Sequence, residues 1–167
     1  METESTEPRS DNAESSMAEK IRLLFLCTGN SCRSQIAEGW TRYLKGDRIE
    51  VCSAGMETHG LNESAVMVMG EAGVDISGHQ SKHLDELDDL RFDDVVTVCD
   101  QARESCPLFE GGGRMIHVGF ADPPALAESV AKRGGDRQAQ LDCYRQVRDQ
   151  IRAFVASLPE SLEAYPK

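Results

Sequence analysis

The sequence is poor in several things that would each have pointed elsewhere. No apolar run approaches the about 18 residues of a membrane helix, so no span is expected. The N-terminus has neither a basic start nor an apolar stretch, so no secretory leader is read and a cytoplasmic location is expected. Positive charge is scarce: 18 Lys and Arg face 29 Asp and Glu, a net charge of −11. That balance argues against a nucleic-acid binder, and any attraction for an anionic substrate must be local to a site. No paired Cys-x2-Cys and no histidine cluster is present, so a structural metal is not expected. Six cysteines in such a chain point to redox chemistry, metal binding or burial rather than structural disulfides.

Residues 1–20 carry six acids against Arg9 and Lys20 and almost no large apolar side chain. Such a segment cannot bury enough surface to offset its ordering entropy, so a disordered acidic tail is expected, with Met17 an alternative start. From Ile21 to Lys167 the pattern is that of one domain with a real core. Ile21–Leu26 reads as a strand, about 34–44 as a helix and 49–55 as a second strand. Asn62 reads as the cap of a helix through Glu71, and Leu84 and Leu87 as the docking side of a short helix. Residues 94–99 read as a third strand, Gly111 to Gly113 as a loop and 115–118 as a fourth strand. Asp122-Pro123-Pro124 reads as a break, followed by helices over 125–131 and about 136–158. Alternating buried strands and helices predict an α/β fold, a four-stranded parallel sheet flanked by helices. In such sheets ligands bind beyond the carboxyl ends of the strands, where Cys27 and Cys99 both fall.

The densest stretch is Cys27-Thr28-Gly29-Asn30-Ser31-Cys32-Arg33-Ser34, between the first strand and the first helix. A helix N-terminus presents unpaired N–H groups and partial positive charge to an anion. The turn amides of Thr28 to Cys32 can add a nest for a tetrahedral oxyanion, and Gly29 and Asn30 are residue types that accept the positive φ a nest requires. Arg33 offers a planar fork to two oxyanion oxygens. The same field is expected to favour a thiolate nucleophile at Cys27. Ser34 is placed to donate a hydrogen bond to that thiolate or to a leaving oxygen. Asp122 before two prolines reads by itself as a turn-forming residue, with the prolines holding the loop away from helix, although a carboxyl over an oxyanion site can also protonate a leaving oxygen.

A second stretch, Cys99 to Cys106, has a cysteine at either end of a polar segment. If it is helical, its end α-carbons lie about 10.5 Å apart, beyond the about 7 Å that a disulfide allows. A bond between them would require the segment to unwind or loop out.

Residues 24–35 resemble the phosphate loop of the low-molecular-weight protein tyrosine phosphatases, and still more that of their arsenate-reducing relatives. The resemblance extends over about residues 21–158. It implies a flavodoxin-like fold of this family, with Cys27 as nucleophile, Arg33 and the loop from Thr28 to Cys32 as the oxyanion cradle, Ser34 as support and Asp122 as general acid. It also implies that Cys99 and Cys106 are the second and third thiols of a relay. A transient Cys27–Cys99 disulfide would pass to Cys99–Cys106 and then to thioredoxin, with arsenate as substrate. Phosphatases of the fold lack this pair and usually carry tyrosines after the Asp-Pro, where this chain has Pro124-Ala125. A phosphatase using only Cys27, Arg33 and Asp122 is the alternative. No bound cofactor is implied and a monomer suffices. Some relatives hold potassium near the counterparts of Asn30 and Glu38; here Gln80 and Lys82 replace oxygen ligands, and Lys82 is expected to supply the charge. The resemblance further implies an Asn30–Ser53 hydrogen bond. Cys32 is read as a packed thiol or a backup partner for Cys27, and Cys52 and Cys143 as passengers. No catalytic role is assigned to His59, His79, His83 or His117, and Trp40, Met67 and Met69 are read as packing.

Overall fold

The computed structural model describes residues 20–100 and 112–165. Residues 1–19, 101–111 (Cys106 among them) and 166–167 lie outside the described residues. Strands β1 (Ile21–Cys27), β2 (Ile49–Gly55), β3 (Phe92–Thr97) and β4 (Gly112–His117) form one sheet in the order β2-β1-β3-β4, all pairs parallel. Among the described residues four helices accompany it: α1 (Arg33–Lys45), α2 (Glu63–Glu71), α3 (Pro123–Lys132) and α4 (Arg137–Ala156).

The strand order follows from the apolar pattern. Leu23 through Cys27 are buried without a break, as a central strand covered on both faces requires. In β2 buried Ile49 and Val51 alternate with exposed Glu50, the pattern of an edge strand. Of Leu141, Tyr144, Val147, Ile151, Phe154 and Val155, whose helical spacing predicts an inward stripe, all are buried except Phe154, which is partly buried, and α4 packs against α1, α2 and α3. Leu84 and Leu87 are buried beneath a short 3-10 turn. Asn62 caps α2 by accepting from the Ala65 N–H at 2.9 Å. Among the described residues no helix is long and apolar enough to cross a membrane.

Three expectations are corrected. Gly112 and Gly113 begin β4 instead of looping. A Cβ on Gly113 would lie 2.3 Å from the Asp93 carbonyl oxygen, so glycine is what lets β4 pair at this point. β3 ends at Thr97, two residues before Cys99, although Val98 N–H still donates to Leu26 O at 3.0 Å. Pro123 and Pro124 open α3 instead of holding the chain out of helix. A first turn needs no N–H from its leading residues, and proline's fixed φ already suits it.

Candidate active site

Everything of chemical interest at the sheet's carboxyl end is organised by the turn from β1 into α1. Cys27 ends β1 opposite Gly55 of β2, and α1 begins six residues later at Arg33. No acidic side chain stands in the first turn of α1, so its N-terminal partial charge is left for a ligand. A pocket of about 250 Å³ is lined by Cys27, Thr28, Gly29, Ser31, Cys32, Arg33, His59, Asp122 and Pro124. The phosphate-loop residues and Asp122, far apart in sequence, thus share one cavity.

Arg33 is mostly buried. Its Nη1 donates to Phe120 O at 2.8 Å, and its Nη2 stands 3.5 Å from Asp122 Oδ1. Among the described residues its Nε is the one buried side-chain N or O atom with no protein partner. An unsatisfied guanidinium N–H beside helix N-terminal amides suits an incoming oxyanion. Asp122 sits at the cap position of α3 without using its side chain as a cap, so the carboxyl faces Arg33 and the pocket.

Asn30 takes the left-handed backbone, φ 48°, and is fully buried. Its Nδ2 donates to Ser34 Oγ and Ser53 Oγ, each at 2.9 Å. Its Oδ1 accepts from the Lys82 N–H at 2.7 Å and from Gln35 Nε2 at 3.0 Å. The Asn30–Ser53 bond is therefore present as expected. Ser34, acting as acceptor here, keeps its own proton to donate. Gly29 does not take positive φ; it is small because the His59 ring lies over it, with Nδ1 2.2 Å from where a Cβ would sit.

The brace continues outward. Ser53 Oγ donates to buried Glu38, whose other oxygen accepts from Arg42 Nη2 at 2.6 Å. Gln35 Oε1 pairs with His79 Nδ1 at 2.9 Å. Burial lowers the His79 pKa despite the nearby Glu38 carboxylate, so a neutral ring donating Nδ1–H to Gln35 is favoured. The ammonium of Lys82 lies 4.0 Å from Glu38 Oε1 and donates to Gln80 O at 3.3 Å. Among the described residues no three His, Cys, Asp or Glu side chains are grouped to hold a metal.

Cys99 reaches the site from the next strand. Its Sγ lies 3.2 Å from Thr28 Oγ1, and the Cys99 thiol is the strongest influence on the neighbouring Cys27 thiol. That neighbour, followed by burial and by charge repulsion from Cys99, pushes the Cys27 thiol well above the usual range. Arg33 and the Thr28 backbone pull the other way and are outweighed. The expected thiolate-favouring field is present, but alone it does not set the ionisation. Two neighbouring buried sulfurs cannot both carry charge and titrate as a pair. Cys32 is pushed up to about 12, first by burial and then by Asp122, against Arg33. It behaves as the packed thiol.

Three contributors escaped the reading of the sequence. Gly55 packs so tightly beneath the loop that a Cβ would lie 2.6 Å from Glu57 O, 2.7 Å from Asn30 N and 2.8 Å from Thr28 O. His59 walls the pocket and its N–H donates to Gly29 O at 3.0 Å. His79 supports the loop through Gln35. Only Gly55, at the end of a predicted strand, carried a local signal; the other two act across long sequence separations.

Comparison with known proteins agrees with this geometry. The family model described as low molecular weight phosphotyrosine protein phosphatase matches residues 22–165. The chain is 44% identical over 149 residues to an arsenate reductase of Shouchella clausii, covering 88% of this chain and 100% of that one. It is 43% identical over 135 residues to an arsenate reductase of Bacillus subtilis, covering 81% and 91%. A solved arsenate reductase in its phosphate-binding state superimposes with a TM-score of 0.66 at 29% identity, covering 86% of this chain and 97% of that chain.

Proposed function

Because the chain belongs to the low-molecular-weight phosphotyrosine protein phosphatase family, we propose that it has taken that family's oxyanion site into redox use and reduces arsenate to arsenite. Arsenate enters the loop and is held by the turn amides and Arg33. The Cys27 sulfur attacks arsenic while Asp122 protonates the departing oxygen, which leaves as water. Cys99 then attacks the Cys27 sulfur. The sulfur–arsenic bond breaks with its electron pair on arsenic, a Cys27–Cys99 disulfide forms, and arsenite departs. Cys106 resolves that disulfide by thiol exchange, and the Cys99–Cys106 disulfide is reduced from outside by thioredoxin, in the cytoplasm.

The observation that carries this reading is the Cys99 sulfur 3.2 Å from Thr28 Oγ1, beside the Cys27 nucleophile. Ester hydrolysis needs a cysteine, an arginine and an acid, and has no use for a second sulfur there. The curated arsenate reductases at 43–44% identity support the same substrate. Slow hydrolysis of small phosphate esters is expected as a side activity, since Cys27, Arg33 and Asp122 suffice for it.

The test is turnover of arsenate with thioredoxin, thioredoxin reductase and NADPH, followed by NADPH consumption. Cys99→Ser and Cys106→Ser should each abolish turnover while leaving phosphate-ester hydrolysis intact. Full turnover in either variant, or none in the parent protein, would refute the relay.

A further inference from the structure

We propose that His117 is a positioning residue for Cys99, one that acts by tying down the chain on both sides of that thiol. This rests on the relay described above. His117 ends β4, paired with Thr97, the last residue of β3. Its Nδ1 lies 2.9 Å from Thr97 Oγ1 and its Nε2 lies 3.1 Å from Asp100 Oδ1. Thr97 stands two residues before Cys99 and Asp100 one residue after it. A single imidazole therefore spans the thiol-bearing residue just where β3 has ended. With the Thr97 hydroxyl donating to Nδ1, Nε2 carries the proton that the Asp100 carboxylate accepts. Thr97 is buried, so this end of the tie is fixed to the core, while the Asp100 end is exposed. Gly119 keeps the ring's flank open: a Cβ there would lie 3.1 Å from Nε2.

The strip that carries His117 also reaches the oxyanion cradle. Val118 N–H donates to Thr97 O at 2.9 Å and Phe120 N–H to Val98 O at 3.3 Å. The Phe120 carbonyl accepts from Arg33, and Asp122 follows two residues later. His117 thus fixes Cys99 to the same segment that bears the acid and meets the arginine. In the step concerned, Cys99 bonds to the Cys27 sulfur and gives up its proton, which ends on an oxygen of the departing arsenite. The sulfur–arsenic bond breaks and its electron pair reduces arsenic, while two thiol sulfurs are oxidised. Displacement at sulfur is sensitive to the approach of the attacking atom, and small misplacements are costly in rate. Oxyanion binding does not involve Cys99 and should not respond.

The experiment compares the full-length reduced protein with His117→Ala, Asp100→Ala, the double variant and His117→Gln, which keeps an N–H donor. Single-turnover formation of the Cys27–Cys99 disulfide after mixing with arsenate is read by rapid alkylation and mass spectrometry. Affinity for inorganic phosphate is read by calorimetry. Each single alanine variant should slow disulfide formation by about 3- to 10-fold, the range of one modest hydrogen bond. The double variant should lose no more than the worse single one, His117→Gln should recover part of the rate, and phosphate affinity should stay within about twofold. Losses that multiply in the double variant, an unchanged disulfide rate, or a parallel fall in phosphate affinity would overturn the proposal. If arsenate drives no disulfide in the parent protein, the relay itself has failed, and the rate of Cys99 alkylation by iodoacetamide decides the positioning role. Faster alkylation in the His117 and Asp100 variants upholds it and an equal rate overturns it.

Discussion

Replacing Asn30 by alanine should damage this protein more than a single surface-loop substitution ordinarily does, and the damage divides into two separable parts. The first is conformational. Asn30 sits at φ 48°, a region asparagine tolerates and alanine resists at roughly 1 kcal/mol. The second is polar. The side chain uses both amide hydrogens and its carbonyl in buried bonds to Ser34, Ser53, Lys82 N–H and Gln35. Truncation deprives the Lys82 N–H of its acceptor at about 1–2 kcal/mol, and the loss of the remaining bonds adds roughly another 1–2 kcal/mol. Asn30→Ala is therefore expected to lose about 3–5 kcal/mol of folding stability, and Asn30→Gly about 1 kcal/mol less, since glycine is free of the φ penalty. Urea unfolding followed through Trp40, the sole and buried tryptophan, measures both. Calorimetry with inorganic phosphate should show at least about a tenfold loss of affinity in either variant, because the nest amides lose their brace. A loss below about 1 kcal/mol for alanine, or equal stability of the alanine and glycine variants, would refute this account of why the loop holds its shape.

Three further outcomes are expected. Gly55→Ala forces a methyl group against three backbone atoms of the loop, so it should lower stability by about 2 kcal/mol and weaken phosphate binding; phosphate calorimetry at parental affinity would contradict it. Cys32, near 9.0 when unfolded and about 12 when folded, keeps a proton that the unfolded chain loses, so stability is fully present below pH 9 and falls above it. The slope from this residue is about 1.4 kcal/mol per pH unit, and urea midpoints between pH 8 and 10.5 should fall less steeply in Cys32→Ala than in the parent. Glu38→Gln leaves Arg42 and Lys82 facing a neutral amide and should cost about 1–2 kcal/mol, discounted because Arg42 is half-exposed; an unchanged urea midpoint would count against the brace.

What could be read from the sequence was what is local in it. Cys27, the turn and Arg33 are neighbours along the chain, so their chemistry showed in eight consecutive residues, and the strand-helix alternation around them set the sheet. Cys99 was legible as a strand-end thiol on the same rim, although its strand stops two residues sooner than the apolar run suggests. Pro123 and Pro124 misled because the same ring that breaks a helix interior also favours its first turn. Gly112 and Gly113 misled because a strand accepts glycine where a neighbouring carbonyl passes too close for a side chain. The ionisation of Cys27 depends most on a residue 72 positions away, and no window around the loop contains it. The brace is likewise non-local: Asn30 is held from Ser53, Lys82 and Gln35, and Gln35 in turn from His79. This separation has a chemical consequence. The oxyanion cradle is a local motif that phosphate-ester hydrolysis and oxyanion reduction can share, whereas the difference between them must be supplied by what the sheet brings alongside. In the proposed relay that is the Cys99 sulfur just beyond β3, flanked by Thr97 and Asp100, which His117 of β4 contacts.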